Sequence, residues 1–116
     1  MIMPCIQTRV NVRITKDKEE IIKDKLGKAI ELIPGKSENW LILSFEDECN
    51  LYFKGDNKQK IAFVEVKIFG KAENTAYDKL TSAITGILNE ELDIDPSWIY
   101  IKYEEVDHWG WNGSNF

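Results

Sequence analysis

Residues 6–35 read IQTRVNVRITKDKEEIIKDKLGKAIELIPG, and two hydrophobic periods meet in them. Ile6, Thr8, Val10, Val12 and Ile14 alternate with Gln7, Arg9, Asn11 and Arg13, the period of two expected of a strand with one buried face. From Asp17 the period changes. Ile22, Leu26, Ala29, Ile30 and Ile33 recur at spacings of three and four, which places them on one helical stripe, and Asp17 precedes Glu20 in capping-box spacing. Pro34-Gly35 ends the helix, because proline has no N–H to donate and glycine accepts a left-handed exit.

Outward from this strand–helix pair the pattern repeats. Trp40 to Phe45 is short, apolar and bounded by polar residues, as in a strand buried on both sides. Glu46 to Glu48, Leu51-Tyr52-Phe53 and the turn-rich Lys54-Gly55-Asp56-Asn57 suggest an edge hairpin. Ile61 to Phe69 alternates again, with Ala62, Val64, Val66 and Ile68 on one face. Asn74 then caps a helix carrying Tyr77, Leu80, Ile84, Ile87, Leu88 and Leu92, and Asp95-Pro96 closes the connection to a last strand over Trp98–Val106. The order is strand, helix, strand, twice over. It predicts an α+β domain in which two βαβ units form a four-stranded sheet with both helices on one face. The other face, carrying Tyr100 and Lys102 by parity, is left uncovered, and a homo-oligomer is the economical way to use it.

Composition bounds the function. At 116 residues the chain is one domain, 1–116, and 43% hydrophobic content supports a core that removes roughly two thirds of the unfolded surface from water. Fifteen basic against 20 acidic residues leave a net charge of −5, which argues against nucleic acid and anionic membrane as partners. No apolar run is longer than the four residues of Trp40–Leu43, far short of the ~20 residues a spanning helix needs. The N-terminus lacks the basic start and long apolar stretch of a secretory signal, so a cytoplasmic location is expected, with export independent of a signal peptide left open. Cys5 and Cys49 are too few and too far apart for a disulfide framework or a C-x-x-C metal motif. His108, the one histidine, stands beside Asp107 near Glu104 and Glu105; a solvated acidic loop is the expectation and no metal site is assigned.

The two ends of the chain are more specific. Met3-Pro4-Cys5-Ile6 through Thr8-Arg9-Val10-Asn11-Val12 resembles the start of the macrophage migration inhibitory factor family, and Trp109-Gly110-Trp111-Asn112-Gly113-Ser114-Asn115-Phe116 resembles its G-W-N-x-S-x-F ending. Gly35-Lys36, Gly70-Lys71 and Ile99-Tyr100-Ile101 fall between them at matching spacings. The resemblance implies a tautomerase-type fold, a homotrimer with three sheets around a central channel, an active site at each subunit boundary and no cofactor. It also implies the substrate class: phenylpyruvate-like aromatic 2-oxo acids, interconverted between keto and enol forms.

Such a reaction needs a group that exchanges a proton near neutral pH. An α-amino group starts near ~7.7 to 8.0, and an apolar pocket lowers it further. In proteins resembling this one the base is an N-terminal proline, and Pro4 is the match. Lys36 matches the lysine that pairs with the substrate carboxylate, Phe69 the position whose backbone N–H helps hold it, Tyr100 the tyrosine from a neighbouring subunit, and Trp111 and Phe116 the aromatic walls. Read without the resemblance, Pro4 starts an edge strand, Lys36 is a turn lysine at a helix C-terminus, and the aromatics are packing. Two departures stand out. Lys102 replaces the asparagine of the mammalian-type pattern, offering a second cation that would lower the amine's pKa or anchor a carboxylate. Ile61 and Val64 stand where some relatives carry a C-x-x-C pair, so thiol–disulfide chemistry from that motif is not expected.

As written, Met1-Ile2-Met3 precedes Pro4, so the proline nitrogen is an amide without a basic lone pair. Methionine removal favours a small second residue and Ile2 is not small; a start at Met3 would place proline second and free the amine. The expected active form begins at Pro4. The alternatives are a cytokine-like protein or mimic whose partner is a receptor, and an inert trimeric scaffold if the amine is never freed.

Overall fold

The computed structural model describes residues 3–116, so Met1 and Ile2, on which the start-site expectation partly turns, lie outside the described residues. Strand β1 (Pro4–Val10) leads into helix α1 (Lys16–Ala29) and strand β2 (Ile42–Glu46); strand β3 (Ala62–Phe69), helix α2 (Asn74–Leu92) and strand β4 (Ile99–Val106) repeat the motif. The sheet order is β2-β1-β3-β4. Within each βαβ unit the strands run parallel, and β1 and β3 join the units antiparallel, from Pro4 opposite Ile68 to Val10 opposite Ala62.

Both helices bury their apolar stripes on the same side of the sheet. Ile22, Leu26 and Ile30 meet Leu80, Ile84 and Leu88 over Ile6, Val10, Val64, Val66 and Ile68, all essentially without solvent contact. Truncating a fully enclosed side chain here removes its transfer free energy and leaves a cavity, so Leu88→Ala is expected to cost about 2–5 kcal/mol, read from urea unfolding midpoints. At the rim, Tyr77 Oη donates to Glu105 at 2.7 Å, tying α2 to β4. Burial, and then this bond, push the phenol up to about 12. The raised value means the native state keeps a proton that the unfolded chain releases near pH 10. Stability is therefore expected to fall as pH rises from 10 to 12, and Tyr77→Phe to flatten that slope in unfolding measured across the window.

The boundaries differ from the sequence expectation for local reasons. Strand β1 stops at Val10, not Ile14, because the Asn11 side chain accepts from Ile61 N–H (2.7 Å) and donates to the Gln59 carbonyl (2.8 Å), turning the chain. Helix α1 is capped by Thr15, whose hydroxyl accepts from Lys18 N–H, and not by Asp17; in α2 the cap position is Glu73 and Asn74 is the first helical residue. The apolar run at 40–45 is not a strand buried on both sides. Trp40 belongs to a 3-10 turn (Glu38–Trp40), and β2 is an edge strand whose Leu43 and Phe45 pack on the core while Ile42 points out. The edge hairpin expected over 46–57 reduces to a single bridge between Phe53 and Asp56.

The face opposite the helices is charged across its middle. Arg9 bridges Glu46 (3.3 Å) and Glu65 (3.2 Å), Lys102 bridges Glu65 (3.7 Å) and Glu104 (3.0 Å), and Lys67 donates to Gln7 at 2.7 Å. Aromatic side chains occupy the two ends of its β3 row instead, Phe63 at the start and Phe69 at the finish.

Candidate active site

Pro4 opens β1, where the absence of an N–H costs no ladder bond, and it is buried opposite Ile68. The β1–β3 ladder ends at that pair. Beyond it the Phe69 carbonyl accepts from Lys36 Nζ at 3.2 Å. Lys36 reaches there because α1 passes into a 3-10 turn (Ile30–Leu32) and Gly35 then takes φ 83°, reversing the chain. Only 6% of Lys36 is exposed, and burial lowers its pKa from the ordinary 10.5. An ammonium held out of water beside one neutral carbonyl has most of its charge uncompensated, and an incoming carboxylate is the complement it lacks.

The C-terminal segment closes over the same end. Strands β5 (Gly110–Trp111) and β6 (Ser114–Asn115) pair through a turn in which Asn112 and Gly113 both have positive φ. Phe116 N–H donates to the Trp109 carbonyl at 3.2 Å. The Phe116 ring meets Phe69 edge-on at 4.9 Å, and Trp111 meets Trp40 edge-on at 5.2 Å. Pro4, Lys36, Phe69 and Phe116 thus gather at one end of the sheet, with Trp111 on the adjoining hairpin. Trp40 belongs with this group and was missed; reading it as the start of a strand hid that it lies only four residues beyond Lys36.

Tyr100 and Lys102 do not join them within one chain. Tyr100 is opposite Phe63, five residues back along β3 from Ile68, or roughly 17 Å at the rise of a strand. Its ring lies against Phe53 at 5.0 Å, and Phe53 lies against Trp98 at 5.2 Å. Lys102 sits on the charged face opposite Glu65, and its pKa is raised by its hydrogen bond and proximity to Glu104, with Glu65 adding to the effect. Its charge is already matched by carboxylates in its own chain.

Among the described residues no group of three or more His, Cys, Asp and Glu side chains is placed to hold a metal ion, and no helix is long and apolar enough to cross a membrane.

Residues 3–116 match the family profile described as macrophage migration inhibitory factor. The protein named macrophage migration inhibitory factor from Meriones unguiculatus is 28% identical over 119 residues, covering 98% of this chain and 99% of that protein. Among solved structures, Leishmania major MIF2 superposes with a TM-score of 0.90 at 29% identity, covering 98% of this chain and 97% of that one. A macrophage migration inhibitory factor homologue from Prochlorococcus marinus gives 0.86 at 29% identity, covering 97% and 98%.

Proposed function

This chain belongs to the macrophage migration inhibitory factor family, and from that premise we propose that it is a keto–enol tautomerase of phenylpyruvate-like aromatic 2-oxo acids, active once Pro4 is N-terminal. The observation that carries the proposal is the meeting of buried Pro4 and buried Lys36 at the Ile68–Phe69 end of β3.

In the forward direction the free Pro4 amine takes a proton from the carbon next to the keto group. The electron pair of that C–H bond becomes the enol double bond, and the carbonyl oxygen receives a proton in exchange. Lys36 holds the carboxylate throughout, assisted by the Phe69 main chain, so the acidic carbon is presented to the nitrogen rather than to water. Phe116, Trp111 and Trp40 supply apolar walls for the ring, and the same walls disfavour the charged form of the amine.

The assembly proposed is a homotrimer. Aromatic groups at opposite ends of one sheet suit a head-to-tail contact, which closes into a ring, and Tyr100 then reaches its neighbour's Pro4 although it cannot reach its own. Lys102, paired with Glu65 and Glu104, is a weaker candidate for the pocket than Tyr100.

The test follows enol-to-keto conversion of phenylpyruvate by the chain beginning at Pro4, alongside sedimentation equilibrium. Turnover by a particle of three chains is expected; a monomer without turnover contradicts the proposal. Receptor binding is the alternative role for the same trimer, favoured if covalent blocking of Pro4 abolishes turnover and leaves the binding of a cell-surface protein intact.

A further inference from the structure

At the Tyr100 end of the sheet lies a cavity of about 200 Å³ lined chiefly by Leu51, Phe53, Ile61, Phe63, Trp98 and Tyr100. An enclosed apolar space of ~150 Å³ accepts a benzene ring, so this pocket, open to solvent on one side, has room for a single aromatic ring. A cation stands beside two of its lining rings. Lys54 Nζ stands 5.4 Å from the Phe53 ring centroid and 5.7 Å from that of Trp98. Among the described residues it has no carboxylate partner.

A tight turn sets where its backbone lies. Phe53 and Asp56 exchange two N–H to carbonyl bonds of 3.0 Å across a two-residue turn, and both central residues have positive φ, Lys54 at 55° and Gly55 at 71°. Asparagine, aspartate or glycine suits the first position of such a turn, whereas a lysine side chain adopts that conformation rarely. Strained backbone of this kind is concentrated at functional positions. The result is an exposed ammonium, without a carboxylate partner among the described residues, beside two of the rings that line an apolar pocket.

Resting on the tautomerase reading above, in which Tyr100 joins a neighbour's pocket, we infer that Lys54 reads an acidic group at the far end of the substrate ring, where Phe53 and Trp98 stand beside Tyr100 as walls. The substrate class narrows to aromatic 2-oxo acids bearing a second anionic group on the ring. Lys36 of one subunit holds the 2-oxo carboxylate and Lys54 of the next holds the distal anion, which places locally concentrated positive charge at both ends of the ligand in a protein of net charge −5.

The experiment measures dissociation constants of phenylpyruvate and para-carboxyphenylpyruvate by calorimetry, using the chain beginning at Pro4. The para-carboxylated ligand is expected to bind about tenfold tighter, Lys54→Met to erase that preference, and Lys54→Arg to restore most of it. Mixing Lys36→Ala with Lys54→Met protomers and allowing subunit exchange is expected to recover tight para-carboxyphenylpyruvate sites, since a mixed boundary reunites both lysines. A preference that survives Lys54→Met, or mixed trimers with no recovered sites, overturns the inference. Binding and turnover fail separately: Lys54-dependent selectivity without conversion would sink the tautomerase reading and keep this site, while conversion with no Lys54 dependence would do the reverse.

Discussion

Removing Met1, Ile2 and Met3 is expected to raise kcat/KM for phenylpyruvate tautomerisation by about 10²- to 10⁴-fold, the range a positioned general acid–base contributes. In the longer chain the Pro4 nitrogen is an amide and can neither accept nor return a proton. A second obstacle is steric. Met3 is only 6% exposed, so the residue ahead of Pro4 fills enclosed space at the end of the sheet where substrate would have to approach. Pro4→Gly in the shortened chain replaces the secondary amine with a primary one and is expected to retain part of the rate, whereas adding back Met3 or acetylating the nitrogen should remove it. Stopped-flow ketonisation of phenylpyruvate enol, with intact mass recorded for each sample, checks the series; equal rates for the long and short chains would break the assignment of Pro4.

Lys36→Met is expected to raise KM for phenylpyruvate by about 10- to 100-fold, the worth of a charge-assisted hydrogen bond, while kcat changes much less. Methionine keeps the packing and removes the charge. Stability should move by no more than about 1–2 kcal/mol, because losing the bond to the Phe69 carbonyl and relieving a buried ammonium act in opposite directions. The pH dependence adds a signature. Burial lowers the Lys36 pKa from 10.5, so between its native value and 10.5 the unfolded chain binds more protons than the native one. Across that window Lys36 makes the fold more stable as pH rises and, by losing its charge, makes substrate binding weaker. An unfolding free energy and a KM that both rise with pH across that window, both trends absent from Lys36→Met, are the expected result; a KM that stays level or falls there would remove Lys36 from the carboxylate site.

The repeated strand–helix–strand order was legible because its periods are strong. Ala62, Val64, Val66 and Ile68 alternate cleanly, and the α2 stripe from Leu80 to Leu92 lands in the core. What escaped depended on tertiary context. Nothing local in Trp40–Phe45 shows that β2 takes the sheet edge, since an apolar run reads the same whether one face or both are covered. Thr15 and Asp17 are both credible caps, and the chain direction after Asn11 chooses between them.

The candidate site divides in the same way. Pro4, Lys36 and Phe69 were singled out through the family resemblance, but their convergence comes from the antiparallel β1–β3 register and from the turn at Gly35, neither of which leaves a local trace. The cluster of Phe53, Trp98 and Tyr100 joins a loop of no clear period to β4, and only the folded chain brings it together. Lys102 was placed on the correct face by parity, yet its pairing with Glu65 follows from the β3–β4 register, which alternation alone cannot supply.

The most direct measurement is a nitrogen-15 NMR titration of Pro4 in the chain that begins there. A buried secondary amine between aromatic walls and a lysine should titrate below the ~7.7 to 8.0 range of ordinary α-amino groups, at the same pH as the acid limb of kcat/KM. A Pro4 nitrogen that titrates within or above that range, or a rate profile indifferent to it, would contradict the account.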